Sequence, residues 1–110
     1  MSNVVVIKNA YEAFGRGDVP AVLGAMHPEI EWYEAEGNPY MPTGDAFVGP
    51  DQVLNQLFAR LAVEWDDFEV HPNLYHDAGE IVIVEGRYSG TYKATGKQQN
   101  TQVCHIWQLK

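Results

Sequence analysis

Val4, Ile7, Tyr11 and Phe14 recur at intervals of three and four residues, which predicts one buried face of a first helix. Gly15 and Gly17 end it. Asp18 then stands where a second helix needs an N-cap, with Pro20 in the first turn and Ala21, Val22, Leu23, Ala25 and Met26 as its body. His27-Pro28 stops that helix, because proline restricts the residue before it. At Ile30 the period drops to two. A strand over Ile30–Glu34 places Ile30, Trp32 and Glu34 on one face, and Glu31, Tyr33 and Ala35 on the other.

Asn38 to Gly49 carries two Pro, two Gly, Tyr40, Met41 and Phe47, an apolar loop of the kind that covers something or packs on its own core. Gly49-Pro50-Asp51 opens a third helix with a face of Val53, Leu54, Leu57, Phe58 and Leu61. Glu64 to Asp67 is acidic enough to predict a solvated bend. The rest alternates: a strand over Phe68–Tyr75, a turn at Asp77-Ala78-Gly79, a long strand over Glu80–Lys93, a turn at Ala94-Thr95-Gly96 and a strand over Thr101–Leu109. Ile81 to Val84 is apolar on both faces, so this strand is central in its sheet or meets a helix on one side and a partner on the other. The order is ααβαβββ in one domain spanning residues 1–110, an α+β fold with three helices on one face of an antiparallel sheet.

Composition narrows the function classes. An apolar fraction of 45% over 110 residues, with three Trp, six Tyr and four Phe, builds a core without staples and has aromatic surface to spare for a lined cavity. A net charge of −8 argues against nucleic acid and against anionic membrane surfaces, both of which call for Lys and Arg. The run Val4–Ile7 is too short for a secretory leader and no stretch approaches a membrane span, so the reading is of a bacterial-type cytoplasmic protein. Cys104 is the single cysteine, which excludes an intrachain disulfide. Its neighbours Val103 and Ile106 predict a structural strand cysteine. His27, His71, His76 and His105 have no metal-ligand spacing, so neither metal nor cofactor is expected.

The candidate chemistry lies between Met26 and Gly37 and near the end of the chain. Glu34 shares a strand face with Trp32. If buried there, its carboxyl rises above the ordinary ~4.3 and becomes a candidate general base; at a solvated strand end it does nothing special. His105 shares a face with Trp107 and suits proton transfer, or equally a hydrogen-bonded place within the sheet. Tyr33, Tyr40 and Tyr88 are phenolic donors or amphipathic packing residues. His27, before Pro28 at a helix end, fits a capping role.

Several segments together resemble the nuclear-transport-factor-2-like superfamily in its SnoaL-like branch. They are Tyr11-Glu12-Ala13-Phe14-Gly15-Arg16-Gly17-Asp18, His27-Pro28-Glu29-Ile30-Glu31-Trp32, Phe47-Val48-Gly49-Pro50-Asp51, Val84-Glu85-Gly86-Arg87-Tyr88-Ser89-Gly90 and His105-Ile106-Trp107. The resemblance implies a cystatin-like cone, in which a curved antiparallel sheet wraps a long helix around a deep pocket, and a homodimer packed sheet against sheet. The superfamily includes ketosteroid isomerases, polyketide cyclases, limonene-epoxide hydrolases, dehydratases and binding proteins, so the fold alone names no reaction.

By the same resemblance Glu34 stands at the isomerase's general-base position. The isomerase pairs its base with a tyrosine and a protonated aspartate. The counterpart of that tyrosine falls near Ala10, with Tyr11 one residue on and directed elsewhere, and that of the aspartate falls at or next to His105. An epoxide-hydrolase site would need an Asp two residues after Arg87, where Ser89 stands. The expectation is therefore a small hydrophobic molecule held by Tyr11, Phe14, Trp32, Tyr40, Tyr88 and Trp107. Glu34 and His105 would be the catalytic pair of a cofactor-independent isomerase or cyclase, or else groups that only orient a ligand or pair with each other. The family usually adds a turn and a last strand after the counterpart of Trp107-Gln108-Leu109. That strand is missing here, which predicts a truncated chain or a sheet edge completed by another subunit.

Overall fold

The computed structural model describes residues 2–34, 38, 40 and 46–109. Helix α1 (Asn3–Gly15) begins where the Ser2 side chain accepts the Val5 N–H, and it buries Ile7 and Ala13. Helix α2 (Val19–Gly24) is capped by Asp18, which accepts the Ala21 N–H, and it buries Val22. Both follow the sequence pattern. Strand β1 is shorter than expected: it is Glu31–Trp32 only, paired antiparallel with β2 (Phe47–Val48). The sequence reading put Phe47 and Val48 inside a loop. Their partners lie across the chain, so no local period marks them. Met41 and the rest of residues 41–45 lie outside the described residues, as do 35–37 and 39.

The third helical rod is continuous but mixed. Helix α3 (Pro50–Val53) runs into a π-helical turn (Leu54–Phe58) and then α4 (Ala59–Glu64), burying Val53, Leu57 and Phe58. π turns are rare and concentrate at functional sites. The acidic run after the rod is a correction: instead of a solvated bend, Trp65 starts β3 (Trp65–Ala78) at once. The Trp65 ring packs edge-on against Phe68 and Tyr92, so aromatic contacts draw the segment into the sheet while Asp66 and Asp67 stay exposed. The strain of fitting it shows at Asp67, the one non-glycine with positive φ (53°) among the described residues, beside a shift in register.

Strands β4 (Ile81–Tyr92) and β5 (Lys97–Gln108) complete a three-stranded antiparallel sheet in the order β3-β4-β5. A second register shift in β3, between Pro72 and Leu74, lies opposite Gly86. A Cβ there would sit 2.5 Å from the His71 carbonyl oxygen, so only glycine lets β3 approach β4 at this bend. Bulges of this kind curve a sheet.

Alternation along β4 and β5 places Val82, Val84, Gly86 and Tyr88 on the concave side with Val103, His105 and Trp107 paired beside them. Val82, Val84 and Gly86 are buried. Ile7 of α1 packs on Val82 and Val84, forming one core. A second core joins Ala13, Val22, Phe47, Val53, Leu57 and Phe58. The convex side carries Leu74, Ile81 and Ile106, which are 51%, 38% and 71% exposed. Cys104 is on that side and exposed, so it is no buried core residue. The alternation that puts His105 inside puts its neighbour outside.

Candidate functional site

Between the two cores lies a cavity of about 330 Å³, lined mainly by apolar and aromatic side chains. Tyr11, Phe14, Trp32, Glu34, Tyr40, Tyr88, His105 and Trp107 all contribute to its wall. These eight come from α1, the end of β1, the segment after it, β4 and β5, and the curvature at Gly86 helps bring them to one place. Pattern reading missed Leu57, Phe58, Leu61, Trp65, Phe68, Val70, Asn38 and Gln99 on the same wall. Leu57, Phe58 and Leu61 were legible as a helix face, but nothing local says which cavity that face lines. Trp65 was hidden by its acidic neighbours.

Glu34 sits just past β1, and its side chain is bonded on both oxygens. The Trp32 indole donates to Oε1 at 2.8 Å and the Asn38 amide donates to Oε2 at 3.4 Å. Burial pushes the carboxyl above its ordinary range, and the Trp32 bond opposes part of that rise. Of the two readings open from the sequence, the half-buried one is the geometry found.

Across the cavity stands a cluster centred on His105. The Tyr11 hydroxyl lies 2.5 Å from Nδ1 and the Tyr88 hydroxyl 2.5 Å from Nε2. The Trp107 indole donates to the Tyr11 oxygen at 2.9 Å. Burial lowers the His105 pKa, so the ring is held neutral. Both phenols are pushed well above the ordinary tyrosine range, chiefly by burial; for Tyr88 the Glu34 charge adds to it, while for Tyr11 the Trp107 bond opposes it. Tyr11 is thus not directed away from the site, as the family comparison of its position implied. Its hydroxyl is the link between Trp107 and His105. With phenols on both ring nitrogens, His105 does not take Glu34 as its direct partner.

Other candidates fall outside this centre. The Tyr40 ring lines the cavity, but its hydroxyl is engaged where α4 meets β3, donating to Glu64 at 3.2 Å and accepting from Trp65 at 3.0 Å, with the Arg60 guanidinium 4.4 Å from the ring centre. Tyr33 is 66% exposed and donates to Glu31. His27 accepts the Glu29 N–H through Nδ1, a local turn contact rather than a cation at a helix end. Arg87 points outward and donates to Asn100, far in chemistry from any epoxide-opening constellation. Among the described residues no group of three or more His, Cys, Asp or Glu could hold a metal ion, and no helix is long and apolar enough to cross a membrane.

The sequence pattern of the SnoaL-like domain matches residues 7–110. No curated protein matches the chain significantly. Among solved structures, a nuclear-transport-factor-2-like protein from Burkholderia thailandensis is 34% identical, with a TM-score of 0.90 over 100% of this chain and 82% of that one. A protein of unknown function of the same type from Burkholderia pseudomallei is 26% identical, with a TM-score of 0.86 over 100% of this chain and 83% of that one. TerC, co-crystallised with polyporic acid, is 22% identical over 98% of this chain and 82% of that one, with a TM-score of 0.82, a likeness of fold alone. With the pattern matched along nearly its whole length, this chain belongs to the SnoaL-like domain family and has the nuclear-transport-factor-2-like fold.

Proposed function

We propose that the cavity binds a small hydrophobic molecule and that the domain moves a proton next to a carbonyl group of it, without a cofactor. The observation that carries this reading is a half-buried carboxylate and a neutral imidazole with two phenols lining one apolar cavity. A cavity with apolar walls and few polar groups suits a compact organic ligand. Glu34, once ionised, is the base: it takes a proton from the carbon beside the carbonyl, and the C–H electron pair becomes the enolate C=C. The cluster around His105 donates to the oxygen as charge gathers there, and Glu34 returns the proton to carbon. A carboxylate whose pKa is raised by burial is a stronger base than one in water.

The test is to identify the molecule that co-purifies with the chain and measure its turnover with Glu34→Gln. A loss of about 100-fold or more with binding intact supports the base. Unchanged turnover leaves a domain that orients a ligand without converting it.

We further propose that two copies pack through the convex side of the sheet, where Leu74, Ile81 and Ile106 are exposed. Apolar side chains gathered on one sheet face favour association. Light scattering should give a dimer for the natural sequence and a monomer for Ile106→Glu. A monomer for both contradicts the proposal.

A further inference from the structure

We propose that Trp107, Tyr11, His105 and Tyr88 form one directional chain of hydrogen bonds, and that its last hydroxyl, on Tyr88, donates to a carbonyl oxygen of the bound molecule. This rests on the reading of the cavity as a ligand site. It assigns the donor to Tyr88 rather than to His105, and makes Trp107, Tyr11 and His105 positioning residues.

The direction follows from counting hydrogens. An indole N–H only donates, so the Tyr11 oxygen accepts from Trp107. A neutral imidazole has one donor nitrogen and one acceptor nitrogen, which leaves two arrangements. In the first, Tyr11 donates to Nδ1, and Nε2–H donates to the Tyr88 oxygen. Each donor inside the chain then has an acceptor, and the Tyr88 hydrogen is the one left over. In the second, Nδ1–H donates to Tyr11, whose oxygen accepts twice, and Tyr88 donates to Nε2. The Tyr11 hydrogen then has no acceptor, because Trp107 and His105 are its two hydrogen-bond partners among the described residues. Leaving a buried hydroxyl hydrogen unmatched is costly. The first arrangement is therefore favoured, and it fixes His105 as the Nε2–H tautomer.

The hydroxyl at the end of this chain is well placed for a ligand. Tyr88 lines the cavity together with Glu34, and the Glu34 charge acts on it, so donor and carboxylate stand near each other. Aligned bonds polarise one another, so a Tyr88 O–H backed by His105, Tyr11 and Trp107 is a better donor than an isolated phenol. The ligand class is a neutral ketone or related carbonyl compound with an acidic C–H. A carboxylate ligand is disfavoured, since Glu34 would repel it.

Two measurements test this on the whole chain. The first is a long-range proton–nitrogen NMR spectrum of the His105 imidazole. Nε2–H is expected, and an Nδ1–H ring overturns the chain whatever the cavity binds. The second compares acetophenone with α-methylstyrene, which has nearly the same shape and no carbonyl, by quenching of tryptophan fluorescence. Tyr88→Phe should weaken acetophenone by about tenfold and leave α-methylstyrene unchanged. Equal loss for both probes, or loss for neither, overturns Tyr88 as the carbonyl donor. If neither probe binds the natural sequence, the ligand-site reading fails and takes the Tyr88 assignment with it, while an Nε2–H ring still upholds the direction of the chain.

Discussion

The two sides of the β4–β5 ladder differ in what they do with their polar groups. On the concave side His105 is held between two phenols, with the Trp107 indole behind one of them. On the convex side His76 meets Glu85 at 2.6 Å, yet the two side chains are 47% and 45% exposed. The second contact looks as strong as the first by distance. Solvent screens it, and a surface ion pair of this kind contributes about 0.5 kcal/mol at most in typical cases. Distance alone thus does not separate a site from a surface; burial and the number of groups engaged at once do. The same alternation of side chains produces both environments, one residue apart.

The largest difference between the sides should appear in packing. Phe47 is 5% exposed in the core beside the cavity, and Phe47→Ala is expected to cost about 3–5 kcal/mol in chemical denaturation. Ile106, at 71% exposed, should change the stability of the monomer by no more than about 0.5 kcal/mol when replaced by Ala. Equal effects at the two positions would erase the contrast.

A smaller effect should come from protonation. Burial lowers the His105 pKa in the fold, so below the unfolded value of ~6.5 the unfolded chain binds the extra proton first. Its contribution to stability is full above that pH and is lost as pH falls toward the folded value. Glu34 works in the opposite sense. Its pKa is raised, so its contribution is present below the unfolded value of ~4.3 and is lost as pH rises through the folded one. Melting temperatures measured from about pH 7 down to about pH 5 should fall less steeply for His105→Gln than for the natural sequence. A steeper fall in the variant would mean that the ring is not held neutral.

Much of this contrast was legible in the sequence. The period of two in β4 and β5 sorted Val82, Val84, Tyr88, His105 and Trp107 from Ile81, Glu85, Arg87 and Ile106. Helices α1 and α2 followed from apolar spacing and from Asp18. What stayed hidden depends on partners distant in the chain. β2 exists because Phe47 pairs with Trp32, and Trp65 enters the sheet because Tyr92 receives its ring. Tyr11 acquires its place from Trp107 and His105, more than ninety residues on. Cys104 was misread from its apolar neighbours, since the period of two that buries one residue exposes the next.

The most direct test of the central claim is an NMR map of where acetophenone binds on the two sides of the sheet. The account predicts shifts at the Trp32 and Trp107 indole N–H groups and at the His105 ring, with the backbone amides of Cys104 and Ile106 unmoved. Shifts confined to the convex side, or none at the three aromatic rings, would contradict it.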